Sequence, residues 1–278
     1  MSRELDELSK GASELAEKFP KLLGDIIRAN VQSLSTTAAI IRAYEEAFLK
    51  SPDTEKVLSI VLSEMEEPAE TPEAKKARIL AIEDPLIKFR EVLSIVRAPN
   101  IEERDILKQH QSLHFDINAK SLGKFVTENE AHFNDEQIDH LNTVPAIRDF
   151  TPPVDFFIAF LNPNQIYLQD SNHLSQKNQA KMIKDFSDIT INPILPNALA
   201  IMLPAVAYAQ ADWYHFNRDT TRGQKLFNDF RARTAEGLLS GTGSAAGRIS
   251  IKEKLLVHTF ETDKGFKNIY AIPAIVFV

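Results

Sequence analysis

The chain of 278 residues contains no cysteine. This absence excludes disulfide bonds, thiolate nucleophiles, iron–sulfur clusters and cysteine-based zinc sites. Two further signatures are missing: no Gly-Lys-Ser/Thr sequence marks a P-loop, and no Gly-x-Ser-x-Gly sequence marks a hydrolase nucleophile elbow. No motif therefore assigns a reaction to the sequence, and we predict no cofactor.

Basic residues are also fewer than acidic residues. Lysine and arginine number 32 against 39 aspartates and glutamates, which gives a formal net charge of −7. Because a nucleic-acid-binding protein presents a basic face to phosphates, this balance argues against a nucleic-acid partner. The opening segment Met1–Leu8 alternates charged residues with leucine and lacks the continuous apolar core of a signal peptide. We therefore expect a cytoplasmic protein, or one secreted by a route without a classical signal peptide.

Residues 1–112 show apolar residues at three- and four-residue steps, a spacing that places them on one stripe of a helix. Thr71 and Pro72 are typical of a helix start, the first as an N-cap and the second in the first turn. We predict successive helices here that form a helical bundle. The stripe includes Leu5, Leu8, Leu15, Phe19, Val57, Leu58, Val61, Ile79, Leu86, Phe89 and Val92.

The pattern changes after residue 112. Leu113, Phe115 and Ile117 alternate with polar residues, which is typical of a strand. Segments 175–186 and 224–239 look like amphipathic helices.

The C-terminal end is rich in β-branched and aromatic residues. Segment 255–260 and the apolar end 269–278 are predicted as strands, with Pro273 at an edge position or a bulge. All these patterns predict an α+β fold that is mainly α. A helical region over residues 1–112 precedes a mixed region over residues 113–278 with a small antiparallel β-sheet, although both regions can also form one continuous domain.

The longest uncharged stretch, Ile189–Ala211, reaches the roughly 20 residues that a bilayer span needs. Pro193, Pro196 and Pro204 interrupt it, and each removes a backbone donor that lipid cannot replace. Two interpretations stay open: a buried core helix with a bent start, and a concealed segment that a membrane can receive.

An aromatic cluster follows this stretch. Trp213 and His215 stand close to Arg218 and Arg222. These four residues can line a ligand pocket, with His215 as an acid or base and the arginines as anion clamps. The aromatic residues can equally pack inward from an amphipathic helix. The glycine-rich segment 237–247 is predicted to be a flexible loop, or a flap over this cluster.

The histidines do not form a recognisable metal motif. His132 and His140 lie in an acidic run and each follows a glutamate by four residues. A di-iron bundle instead requires glutamate three residues before histidine. We predict a solvated acidic helix face here, and no metal site.

Two functions remain open. The first hypothesis is a non-catalytic interaction protein, for example a component of a bacterial toxin or effector system, with a protein partner or a homo-oligomer and a conditional membrane contact. The alternative is an enzyme or small-molecule-binding protein whose pocket lies near Trp213, His215, Arg218 and Arg222.

Overall fold

The computed structural model describes residues 70–218, 223–237, 242–248, 250 and 253–278. Most of the predicted N-terminal helical bundle therefore falls outside the described residues, as does the first part of the predicted helical region 1–112. From Pro72 onward the chain forms one compact unit. Its helices are α1 Pro72–Leu80, α2 Pro85–Val92, α3 Ile101–Gln109, α4 Leu122–Glu128, α5 Gln137–Asn142, α6 Pro145–Arg148, α7 Gln176–Phe186 and α8 Ala205–Asn217.

The helices before the first strand begin where local capping chemistry places them. Helix α1 starts at Pro72, as its sequence predicts. Asp84 caps α2 by accepting from the backbone N–H groups of Leu86 and Ile87, and Pro85 fills the first helical position. The apolar sides of these helices belong to the same hydrophobic core as the strands. The predicted domain boundary at residue 112 therefore stays a prediction.

Eight strands form two four-stranded sheets in the described part of the chain. The first sheet has the order β1-β2-β8-β3, and all its pairs are antiparallel. The second has the order β6-β5-β4-β7 and is mixed, because β4 and β7 run parallel. The strands are β1 Leu113–Ile117, β2 Phe156–Phe160, β3 Ala198–Ile201, β4 Arg231–Gly237, β5 Thr242–Gly247, β6 Leu256–Glu261, β7 Ile269–Tyr270 and β8 Ala274–Phe277.

The predicted fold class is therefore wrong. The sheet structure is larger than one small antiparallel sheet, and an N-terminal helical bundle has no support in residues 70–278 that are described. The reason is that several strands carry no alternating pattern. Strand β2 is buried at every position and β3 at three of its four, and a strand buried on both faces reads as a short apolar run that a buried helix can also show.

The glycine-rich segment is also a strand. Thr242–Gly247 forms β5 between β4 and β6, so the predicted loop or flap is wrong for these residues, while residues 238–241 lie outside the described part. The predicted helix 224–239 is wrong as well, because β4 occupies Arg231–Gly237. Alanine and arginine favour helices locally, but pairing on both sides of β4 overrides that preference.

The C-terminal end is a strand, as predicted, but it does not lie at an edge. Strand β8 lies between β2 and β3 in the first sheet. Pro273 precedes the strand, so its missing N–H interrupts no ladder. The apolar end of the chain is thus the centre of a sheet.

Helix α8 is the central helix of the domain. It packs against β1 of the first sheet and against β4 and β5 of the second. Every residue from Ala205 to Asp212 is buried. The long uncharged stretch is thus part of the core, but it does not form one helix. It forms the end of a π-helical turn at Ser187–Ile191, strand β3 and the start of α8. Within the described ranges, no helix is long and apolar enough to cross a membrane.

Candidate functional site

A cleft of about 570 Å³ opens between three parts of the domain: the loop after β2, the end of α8 and the segment before β4. Most of its polar lining is uncharged. Four amide side chains line it, those of Asn164, Gln165, Gln224 and Asn228. Lys225 contributes a basic side chain to the same lining.

Aromatic rings form one wall of the cleft. Tyr167 and Phe230 both line it, and their ring centroids are 5.0 Å apart at an edge-to-face angle. Tyr270 on β7 lies behind them, 4.6 Å from Tyr167 and 6.1 Å from Phe230. Mutual packing of this kind limits the rotamers of the three rings, so the wall presents a fixed apolar surface.

His215 lines the same cleft from the last turn of α8. Its ring packs edge-to-face on Phe115 of β1, with 6.3 Å between centroids. Burial lowers the pKa of His215, while the negative charge of Asp212 opposes that shift and Arg218 reinforces it. The imidazole is therefore neutral at pH 7, and one ring nitrogen donates while the other accepts.

Asp212 fixes the segment that forms the opposite wall. This carboxylate lies one helical turn before His215, and it is fully buried. Its Oδ1 accepts hydrogen bonds from the backbone N–H groups of Leu226 at 2.9 Å and Phe227 at 3.2 Å. Hydrogen bonds to the Asp212 side chain thus hold this wall of the cleft against α8.

The side chains of Arg248 and His132 form hydrogen bonds with the Asp212 carboxylate. Arg248 donates from Nη1 to Oδ1 at 2.9 Å and from Nη2 to Oδ2 at 2.7 Å. Nε2 of His132 lies 2.7 Å from the same Oδ2. Burial alone raises the pKa of Asp212, but the hydrogen bonds from His132 and Arg248 outweigh it and bring the pKa to about 2. The carboxylate is therefore ionised throughout the neutral range.

Of the predicted site residues, the structure brings His215 and Arg218 against the same ring, that of Phe115, and separates Trp213 from them. His215 lines the cleft, whereas Trp213 packs edge-to-face on Phe125 and Tyr214. The guanidinium of Arg218 lies 4.6 Å from the ring centroid of Phe115 and donates to the carbonyl oxygen of His114.

Arg222 lies outside the described residues, so the predicted pair of arginine clamps is untested. A ligand-binding role for Trp213 and Arg218 stays a prediction.

Sequence reasoning missed the Asp212–His132–Arg248 cluster. His132 was predicted on a solvated acidic helix face, but its side chain is 8% exposed and pairs with Asp212, so that prediction is wrong for His132. One signal was available: Asp212 is a lone charge after the apolar run 198–211. Aspartate is rarely buried unless it is paired, which indicates a hidden partner but not its identity.

Among the residues with a described position, no group of three or more histidine, aspartate or glutamate side chains is arranged to hold a metal ion. The residues that line the cleft offer a ligand hydrogen bonds and contacts with aromatic rings.

No family model, no curated protein and no solved structure matches this chain.

Proposed function

We propose that this domain binds a neutral sugar in the cleft beside His215. The observation that carries the proposal is the composition of the cleft: a neutral imidazole, four amide side chains and a fixed aromatic wall around about 570 Å³. Small-molecule sites commonly have volumes of about 300–1,000 Å³ and combine apolar walls with a few polar groups.

The polar groups favour an uncharged ligand over an anion. Amides and a neutral histidine both donate and accept, which matches the hydroxyl groups of a sugar. Lys225 donates from Nζ to the backbone oxygen of Glu253 at 2.6 Å. Arg218 stacks on Phe115 rather than lining the cleft. Neither residue therefore offers the cleft a bidentate guanidinium clamp for an anion.

An adjoining cleft extends the surface. It has a volume of about 350 Å³ and shares Gln165, Ile166 and Tyr167 with the first cleft. Tyr167 thus lies between two spaces, where an aromatic ring can contact consecutive rings of one ligand. We expect a disaccharide to bind more tightly than its monosaccharide units.

The proposal concerns binding and is compatible with the non-catalytic interaction protein that the sequence suggests. A toxin or effector role, a protein partner and a homo-oligomer stay predictions. They depend in large part on the helices predicted in residues 1–69, which are outside the described residues.

The experiment is a ligand-observed NMR screen of the full chain against neutral mono- and disaccharides, with nucleosides and anionic metabolites as comparators. Positive ligands are then measured with Asn228→Ala and His215→Gln, and with Gln109→Ala as a matched control, since Gln109 is an exposed amide at the end of α3.

Loss of one good hydrogen bond weakens binding by about tenfold, so we expect the two cleft variants to bind at least that much more weakly than the control. Absence of any sugar signal, or equal affinity in all three variants, overturns the proposal.

A further inference from the structure

Arg231, at the start of β4, is a buried arginine with incomplete hydrogen bonding. The residue is 8% exposed, and its Nε has no hydrogen-bond partner among the residues that the structure describes. A guanidinium stays charged at neutral pH and carries five N–H donors. Because a buried donor without an acceptor destabilises the folded state, this side chain is suited to receive an acceptor from a ligand.

The second sheet brings Arg231 to the same face as His258. Arg231 pairs with Gly247 on β5, and His258 on β6 pairs with Ala245 on β5. Side chains that are directly opposite or two residues apart share a face of a sheet. The guanidinium Cζ of Arg231 lies 5.6 Å from the ring centroid of Phe260, two residues after His258. The arginine therefore extends across β5 toward β6.

The small residues of β5 make this crossing feasible. A Cβ on Gly247 would lie 3.1 Å from Cγ of Arg231 and 2.4 Å from the carbonyl oxygen of Phe230. Only glycine leaves that space, and its φ of 149° is in the region that favours glycine. The glycine-rich sequence that resembles a loop is thus a strand against which the side chain of Arg231 packs.

A second histidine completes the cluster. The ring centroid of His140 on α5 lies 4.8 Å from that of His258. Gln137 holds α5 against β6, since its Nε2 donates to the carbonyl oxygen of Val257 at 3.1 Å and its Oε1 accepts from the Val257 N–H at 2.6 Å. Three groups that can carry positive charge are thereby fixed by regular elements rather than by loops.

The electrostatics of the cluster favour an anion. Burial lowers the pKa of His258, and the positive charges of His140 and Arg231 lower it further, against the opposing effect of Glu136. Burial also lowers the pKa of Arg231, with Glu253 acting in the opposite direction. A bound anion relieves the repulsion among the three groups.

We propose that Arg231, His140 and His258 form a binding site for a phosphate-class oxyanion. Guanidinium and imidazolium groups give charge-assisted hydrogen bonds to such oxygens, and a tetrahedral oxyanion accepts from several directions at once. The site uses none of the residues that line the cleft beside His215, so its test is independent of the sugar proposal.

The first test is a titration of the full chain with inorganic phosphate, followed by NMR of the histidine rings. Glycerol phosphate serves as a second arm that distinguishes a phosphate monoester from the free ion, and acetate serves as the carboxylate comparator. We expect phosphate to move the His140 and His258 signals. We also expect sulfate, a tetrahedral oxyanion whose charge is the same at pH 6 and pH 8, to bind about tenfold or more tightly at pH 6, because a protonated His258 binds the anion. Unmoved signals, or equal affinity at the two pH values, overturn the proposal.

Variants provide the second test. Arg231→Met is expected to weaken phosphate binding by about tenfold or more, whereas Arg148→Met, at a partly exposed arginine paired with Asp149, is expected to bind like the parent. Replacing an incompletely paired buried charge with an apolar side chain of similar size is expected to leave the Tm unchanged or higher. Equal phosphate affinity in the two variants overturns the proposal.

If Arg231→Met does not fold, His258→Gln decides the question. Loss of the pH-dependent increase in affinity supports the site, and retention of that increase refutes it.

Discussion

Asp212 on α8 and Arg248 just after β5 are both fully buried and are joined by two hydrogen bonds, Nη1 to Oδ1 at 2.9 Å and Nη2 to Oδ2 at 2.7 Å. The same guanidinium donates to the carbonyl oxygens of Phe227 at 3.1 Å and Glu253 at 3.0 Å. One ion pair thereby connects the central helix, the end of a strand and the segment that lines the cleft.

Replacing Asp212 with asparagine is expected to destabilise the domain strongly. The substitution leaves Arg248 buried without its counter-charge, and breaking a buried ion pair from one side costs about 3–5 kcal/mol. Urea denaturation measures the change in the free energy of unfolding. The control is Asp185→Asn, which removes an exposed pair with Lys181 and is expected to cost less than about 1 kcal/mol. Similar losses in the two variants would contradict the structural role of Asp212.

Stability is expected to fall in acid because of the same carboxylate. The pKa of Asp212 is about 2 in the folded protein, below its ordinary value of 3.8. Its contribution is therefore complete above about pH 5 and is lost as the pH falls from there toward 2. At about 1.4 kcal/mol for each pH unit, this loss is about 2 kcal/mol. Urea denaturation from pH 2 to 7 of the parent and of Asp212→Asn should show this acid-dependent part in the parent alone.

Glu236 is expected to act in the opposite direction. This buried carboxyl accepts from the Ala205 N–H at 2.7 Å and from Oγ of Ser244 at 3.4 Å. Burial raises its pKa despite those hydrogen bonds, so the unfolded chain ionises first and stability decreases as the pH rises above about 4.5. Glu236→Gln should therefore be more stable than the parent at pH 7 but not at pH 4. Thermal melts at both values test this, with the exposed Glu261→Gln as control; a Glu236→Gln variant less stable than the parent at pH 7 would contradict the prediction.

Deletion of Ala274–Val278 is expected to unfold the domain. Strand β8 pairs with β2 and β3, and all its residues are buried. Burying each large apolar side chain contributes about 1.5–3 kcal/mol, and a domain has only about 5–15 kcal/mol of net stability. Circular dichroism and a thermal melt of the truncated chain measure the outcome. If the tail were instead an exposed plug for a partner, the Tm would stay the same and only association would be lost.

Membrane contact by the uncharged stretch Ile189–Ala211 is expected only when the fold opens. Strand β3, within this stretch, is paired with β8 along its whole length, so the stretch must leave the first sheet before it reaches lipid. Co-sedimentation with liposomes across pH should therefore follow loss of the near-ultraviolet circular dichroism signal. Binding at a pH where that signal is intact would contradict this order of events.

Local sequence signals determined several elements correctly. The alternation at Leu113, Phe115 and Ile117 gives strand β1, and Ser175 caps helix α7 by accepting from the Asn178 N–H. The proline at position 72 begins helix α1. Each of these features depends on residues within one turn or one strand, so a single stretch of sequence contains the whole cause.

Other elements depend on distant partners. Strand β4 has the composition of a helix and exists because β5 and β7 pair with it. Gly265 is required by a contact with another segment, because a Cβ there would lie 1.8 Å from the carbonyl oxygen of His173. Composition does not reveal a close approach between segments more than 90 residues apart.

The sequence by itself determined the absence of thiol chemistry, the acidic balance, the apolar C-terminal strand and the start of helix α1, because composition and short-range capping decide these properties. The tertiary structure decided that Asp212 meets His132 and Arg248, that His215 lines a cleft while Trp213 packs away from it, and that Arg231 packs over Gly247 with its guanidinium 5.6 Å from the ring centroid of Phe260. Those contacts join residues from separate elements, and only the pairing of strands and the packing of α8 between two sheets set the distances between them.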